Sequence, residues 1–358
     1  MTEKPKGLAK IWREIKRPFR QFGKCSQIRL GREIIFDAND DIPLLPDYGW
    51  FSKNARTFTQ VRLELTNICA YRCKCCSRDF KRPLGIMSME DLALTLETVK
   101  GHKGEIHLHG HGDCIHLKDF PEKIRLVRYY CPDAFIFINT TLGYNISEEF
   151  LDSIVQSGLN AMAVSFYGDS SATYKLIHGV DNFDLVKNNL LLLNSVKKRH
   201  ATFNFNVKRF SEESYRLVAN DYCSSLEERG NIQKFFKDNN IVYFFQSLHN
   251  YGGSHSYLEI DQSKPCSIAW GQYYGILQIQ WNLDVVPCTR CADNTLVFGN
   301  LKNYTLDEIF TSSFYKQYIK DILCGNVNEY SPCNVCERNV IGSDTEKKQL
   351  LDYLENVG

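Results

Sequence analysis

Cys69, Cys73 and Cys76 lie in the segment Leu65-Thr66-Asn67-Ile68-Cys69-Ala70-Tyr71-Arg72-Cys73-Lys74-Cys75-Cys76, with the spacing C-x3-C-x2-C. Cysteine thiolates are soft ligands that suit iron–sulfur clusters and zinc alike. Three on one tight loop can hold three irons of a [4Fe–4S] cube, which leaves the fourth iron without a protein ligand. A zinc loop or a set of buried thiols is the competing reading, but structural zinc takes four ligands.

A second group, Cys266, Cys288, Cys291, Cys333 and Cys336, lies in the C-terminal part of the chain. Cys288-x2-Cys291 with Cys333-x2-Cys336 has the form of a four-cysteine zinc site. Zinc and iron–sulfur both stay open for this set.

Fourteen cysteines among 358 residues is a high count. A secreted disulfide scaffold would be short and would carry a signal peptide. The opening MTEKPKGLAKIWREIKRPF has no continuous apolar stretch of that kind. No apolar run approaches the roughly 20 residues of a membrane span. A cytoplasmic location is therefore expected. The net charge of +1 gives no global bias toward nucleic acid, although residues 1–35 carry +7 and the remainder −6.

The elements that must position these cysteines follow from periodicity. Residues 1–60 form a leader in which Leu8, Ile11, Trp12, Ile15, Phe19 and Phe22 recur at near-helical spacing among basic residues, interrupted by Pro18. This reads as a helix packed on the main domain, or as a basic amphipathic segment that touches a membrane surface or an anionic partner. From residue 61 short apolar runs alternate with helical segments. The predicted strands are Val61–Thr66, Glu105–His109, Ala134–Asn139, Ala161–Phe166, Thr202–Lys208 and Ile241–Gln246. Predicted helices between them include Ser88–Lys100, Ser147–Ser157 and Asp184–Lys197. Such alternation implies βαβ units in an α/β fold with a parallel sheet, either doubly wound or an open barrel. The core is expected over 61–250. A small cysteine-bearing domain over 251–345 follows, with a hairpin arm at Ile276–Trp281 and a helix at Thr305–Leu323, then a tail over 346–358.

The three-cysteine loop directly after a first strand resembles the radical S-adenosylmethionine (SAM) superfamily. The resemblance implies a partial (β/α)6 barrel. It also implies that the open iron of a [4Fe–4S] cluster chelates SAM, whose reductive cleavage gives a 5′-deoxyadenosyl radical that abstracts hydrogen from an unactivated carbon. The family usually has an aromatic residue where this chain has Cys75, and spacing favours Cys76 as the third ligand. His109-Gly110-His111-Gly112-Asp113-Cys114 is a partial match to the family's Gly-Gly-Glu-Pro motif. It implies that Gly110, Gly112 and Asp113 face the methionine part of SAM. Asn139-Thr140-Thr141-Leu142-Gly143 resembles a Thr-Asn-Gly turn, and Ser165 matches a ribose contact. Asn206 and Arg209 end the fifth strand, where an arginine can pair with the SAM carboxylate.

The second cysteine set is similar to the shorter SPASM or twitch domains. That similarity implies one auxiliary [4Fe–4S] cluster on Cys266, Cys288, Cys333 and Cys336. Cys291 is then spare and, with Cys114 and Cys223, becomes a candidate hydrogen donor to a substrate radical. The outcome is epimerisation, dehydrogenation or crosslinking. Family frequency favours a ribosomally made peptide as substrate, with a sugar, cyclitol or lipid-linked saccharide as the alternative. A flavodoxin- or ferredoxin-type electron donor is the implied partner. Outside enzymes, a zinc-binding interaction protein is the reading that competes.

Overall fold

The computed structural model describes residues 58, 60–259, 266, 276–291 and 295–336. The leader, its proposed membrane contact and the tail lie outside the described residues. No helix among the described residues is long and apolar enough to cross a membrane.

Six parallel strands follow the chain in order: β1 (Gln60–Leu63), β2 (Glu105–His107), β3 (Phe135–Thr140), β4 (Ala161–Ser165), β5 (Asn204–Arg209) and β6 (Tyr243–Phe245). The order across the sheet is β6-β5-β4-β3-β2-β1-β7-β8-β9. Strand β7 (Ile276–Ile279) joins β1 in parallel. Strands β8 (Asp284–Val286) and β9 (Gly299–Asn300) continue antiparallel. A doubly wound sheet reverses its order partway; the six core strands never do. Right-handed crossovers then all pass over one face, so the sheet curls into a partial barrel with an inner face free for chemistry.

The strand sequences match this arrangement. Side chains alternate between faces along a strand. In β3 and β5 every second residue is fully buried, from Ile136 and Ile138 to Phe205 and Val207. These face the helices, and each contributes about 1.5–3 kcal/mol by leaving water. The intervening positions are polar or aromatic and face the barrel interior.

The helices are α1 (Met89–Thr98), α2 (Phe120–Tyr130), α3 (Glu148–Gln156), α4 (Ser171–His178), α5 (Phe183–Arg199), α6 (Glu212–Val218), α7 (Leu226–Asp238), α8 (Leu306–Thr311) and α9 (Ser313–Cys324). Hydroxyl caps start most of them. Ser88, Ser147, Ser170, Ser211 and Ser225 each accept a backbone N–H from the first turn. Gly179 ends α4 at φ 76°, which glycine adopts without strain. The single helix predicted over Thr305–Leu323 is two helices. Ser312 is extended at φ −61°, ψ 148° and caps Tyr315 N, so the chain breaks between α8 and α9. The predicted first strand also ends early. Thr66 leaves the sheet for a bridge with Ile86, where the cysteine loop begins.

Candidate radical and cluster site

One cavity of about 490 Å³ opens at the C-terminal ends of the strands, within the usual range for small-molecule sites. Cys69, Cys73 and Cys76 line it, as do Cys266 and Cys288 from the second set. The two sets are far apart in sequence and are brought to one cavity by the pairing of β7 with β1.

The loop that carries the first set is held by backbone and side chains. Arg72 N donates to His178 O at 3.1 Å, and Lys74 N to Ile177 O at 2.8 Å. Arg78 Nη1 donates to Cys69 O at 3.0 Å, and its Nη2 to Tyr71 O at 3.1 Å. Burial pushes the Cys69 thiol up to about 11 and raises Cys73 and Cys76 as well. The neighbouring thiols add repulsion. The free sulfurs are thus protonated near neutrality, and taking up a metal centre releases those protons. Among the described residues no group of three His, Cys, Asp or Glu is arranged to hold a single metal ion. Three thiols on one loop, with Cys75 turned into an apolar cluster beside Tyr167, are the donor set that an open-site cluster needs.

Cys73 has a specific neighbour. Its Sγ lies 3.2 Å from His178 Nδ1. Tyr167 N donates to His178 Nε2 at 3.0 Å, so Nε2 carries the lone pair and Nδ1 the proton. Burial pushes His178 down to about 3, which keeps the ring neutral. Tyr174 and Tyr167 stack on it at 4.2 and 5.2 Å. The sequence reading missed His178, whose only sequence signal is its place just before Gly179.

Gly110 and Gly112 both line the cavity. A Cβ on Gly112 would lie 2.3 Å from Thr66 O and 2.7 Å from Ile68 O. The glycine is therefore required by the cysteine loop itself. Asp113 lines the cavity too, but its carboxylate is engaged. Oδ2 accepts from Thr141 N and Oγ1, both at 2.7 Å, and Oδ1 accepts from Ile115 N at 3.3 Å. It fastens the turn after β3 to the segment after β2. Asn139 and Ser165 line the same cavity. Asn206 lies on the same face of β5 as Lys208, and its Oδ1 is buried without a partner among the described residues.

Arg209 is a correction. Strand alternation turns it to the helix side, 3% exposed, where it pairs with Asp169 and donates to Gly168 O at 3.1 Å. Lys208, one residue earlier, lines the cavity. The proposed hydrogen donors are a second correction. Cys114, Cys223 and Cys291 do not line the cavity. Cys114 is buried, Cys223 is exposed on the surface, and Cys291 Sγ donates to Leu296 O at 3.4 Å. The thiol on the wall outside both ligand sets is Cys75.

In the second set, Cys333 sits close enough to Cys288, Cys336 and Cys291 for their charges to raise its thiol, after burial, to about 12. Tyr318 Oη is 3.5 Å from Cys333 Sγ and also feels Cys266 and Cys288. Cys266, Cys288 and Cys333 thus lie near Tyr318, and Cys333 is also near Cys336 and Cys291.

The comparisons with known proteins agree with this geometry. The model of the radical SAM superfamily matches residues 63–219, and that of an iron–sulfur cluster-binding domain, SPASM, matches 266–337. The crystal structure of BtrN in complex with AdoMet and 2-DOIA is 16% identical, covers 81% of this chain and 96% of its own, and has a TM-score of 0.51. The structure of native anSMEcpe with bound AdoMet and Cp18Cys peptide is 16% identical, covers 83% and 98%, and also has a TM-score of 0.51. At these identities the likeness is one of fold. No curated protein sequence matches the chain. The chain belongs to the radical SAM superfamily, in its SPASM subgroup, whose cofactors are SAM and [4Fe–4S] clusters.

Proposed function

We propose that this enzyme dehydrogenates a polar substrate held between its two cysteine sets. The observation that carries the reading is the shared cavity: Cys69, Cys73 and Cys76 on one side, Cys266 and Cys288 on the other. When bound, SAM and the cluster supply a radical that removes a hydrogen atom from substrate. A substrate radical formed there is beside the second set. A cluster held by the second set would accept the electron that the substrate radical loses on becoming product, and a base would take the proton. His111 is a cavity imidazole whose Nδ1 is turned to the buried Glu64 carboxylate at 3.8 Å, and it serves as that base.

Epimerisation is the second reading, favoured by Cys75. Cys75 lines the cavity and belongs to neither ligand set. A peptide is the substrate that family frequency favours, and a peptide is present in the anSMEcpe complex. The BtrN complex holds a different molecule, 2-DOIA. The proposed core and cluster domains span 61–250 and 251–345, with the electron donor of flavodoxin or ferredoxin type.

The test is anaerobic reconstitution, followed by assay of iron, sulfide, zinc and 5′-deoxyadenosine after SAM and dithionite. Two clusters mean about eight irons per chain, with little zinc and clear 5′-deoxyadenosine. No iron uptake and no cleavage by folded protein would sink the reading. Deuterium from solvent water in the product separates epimerisation from dehydrogenation.

A further inference from the structure

Two cations on the barrel's inner face make no direct ion pair with a described residue, although Arg62 feels the Glu105 carboxylate of the neighbouring strand. Arg62 of β1 and Lys208 of β5 both line the cavity. Neither makes an ion pair with a described residue, and Lys208 Nζ makes no hydrogen bond to one. Arg62 Nε donates to Gln60 Oε1, and Gln60 Nε2 donates to Glu105 Oε2 at 2.7 Å, so Arg62 is linked to that carboxylate through Gln60, whereas Lys208 has no such link among the described residues. Three buried cations elsewhere are paired, Lys123 with Asp119, Arg209 with Asp169 and Arg82 with Glu64, while buried Arg78 is satisfied by the carbonyls of Cys69 and Tyr71. Asp113 is the acidic residue on the described cavity wall, and its carboxylate is occupied by Thr141 and Ile115.

Asn139 adds a donor. Its backbone N–H donates to His109 Nδ1 at 3.1 Å, so the ring proton is on Nε2. Nε2 lies 2.6 Å from the Asn139 amide. An Nε2–H requires an oxygen there, and the hydrogen-bond network therefore turns the amide NH2 away from the ring, without a partner. Arg62 and Lys208 are half-buried, and a half-buried cation with no anion in contact is stabilised when one arrives. A guanidinium, an ammonium and an amide NH2 are the groups that bind a carboxylate or phosphate.

We infer that Arg62 and Lys208, with Asn139, form the subsite for an oxyanion of the second substrate, separate from the SAM subsite. The inference rests on the radical SAM reading for the word "second". It narrows the substrate class to molecules that bring a carboxylate or phosphate into the barrel. A neutral sugar or an uncharged peptide segment would leave Lys208 without an anion.

The test uses the reconstituted full-length enzyme saturated with SAM. Inorganic phosphate and acetate are titrated while the thermal transition is followed, because a ligand bound to the folded state raises it. General salting effects of phosphate cancel between wild type and variant. The wild type is expected to gain a saturable shift with at least one anion. Lys208→Met and Arg62→Gln should weaken that anion at least tenfold, and Lys208→Arg should keep it. SAM affinity, read from its effect on the cluster's EPR signal, should stay within about twofold. A shift equal in wild type and Lys208→Met, or absent from both, overturns the subsite. A tenfold loss of SAM affinity in either variant also overturns it, since the cations would then hold the SAM carboxylate. If wild-type protein neither binds nor cleaves SAM, the radical SAM reading falls, and the anion comparison between wild type and variants still decides the subsite.

Discussion

Lys208 and Arg209 are adjacent in sequence and lie on opposite faces of β5. Lys208 looks into the cavity, and Arg209 is locked to Asp169 behind the sheet. Tyr222 Oη donates to the other Asp169 oxygen at 2.5 Å. The pair is therefore a structural clamp on the segment after β4. Asp169→Asn leaves a buried guanidinium unpaired and is expected to cost about 3–5 kcal/mol. Urea unfolding measures it. A loss under 1 kcal/mol would contradict the clamp.

Lys208 makes the opposite prediction for stability. Burial and Arg62 push it down to about 8. Its folded pKa lies below the unfolded value, so the folded state binds fewer protons between about pH 8 and pH 10.4. Stability from this group rises with pH across that window. Lys208→Met should remove the rise and raise the melting temperature of anion-free protein at pH 7. A lower melting temperature would show that Lys208 is compensated.

Gly112→Ala tests the packing under the cysteine loop. The added methyl meets two backbone oxygens, Thr66 O and Ile68 O, which no side-chain rotation can relieve. We expect about 1–3 kcal/mol of lost stability and reduced iron at the first site, read by iron assay and thermal unfolding together.

His178 bears on electron uptake. Its Nδ1–H points at Cys73 Sγ, and hydrogen bonds to sulfur set cluster potentials. Reduction adds negative charge, which an N–H dipole stabilises. His178→Phe should therefore lower the potential of the SAM-responsive cluster. A tenfold fall in the reduced-to-oxidised ratio corresponds to about 59 mV for one electron. An EPR-monitored redox titration reads the shift, and an unchanged or raised midpoint with full iron content would refute it.

Cys75 and Cys76 should separate cleanly. Cys76→Ser is expected to abolish 5′-deoxyadenosine formation and to halve the iron. Cys75→Ser should retain the iron, because burial pushes its thiol up to about 12 inside an apolar cluster. Loss of iron in both would reopen the choice of third ligand.

The sequence by itself determined the elements and the first cysteine loop. Strands of period two and capped helices are local patterns, and C-x3-C-x2-C needs only a short loop after β1. It also placed Gly110, Gly112, Asp113, Asn139 and Ser165 on segments that line the cavity. The tertiary structure decided which face each strand residue takes. A shift of one position in strand phase exchanges Lys208 and Arg209, and spacing did not fix that phase. It decided that Cys114 and Cys291 are buried away from the cavity. It brought His178 to Cys73 across more than a hundred residues of chain. The pairing of β7 with β1 placed the two cysteine sets on one cavity, a long-range contact that leaves no mark in local sequence.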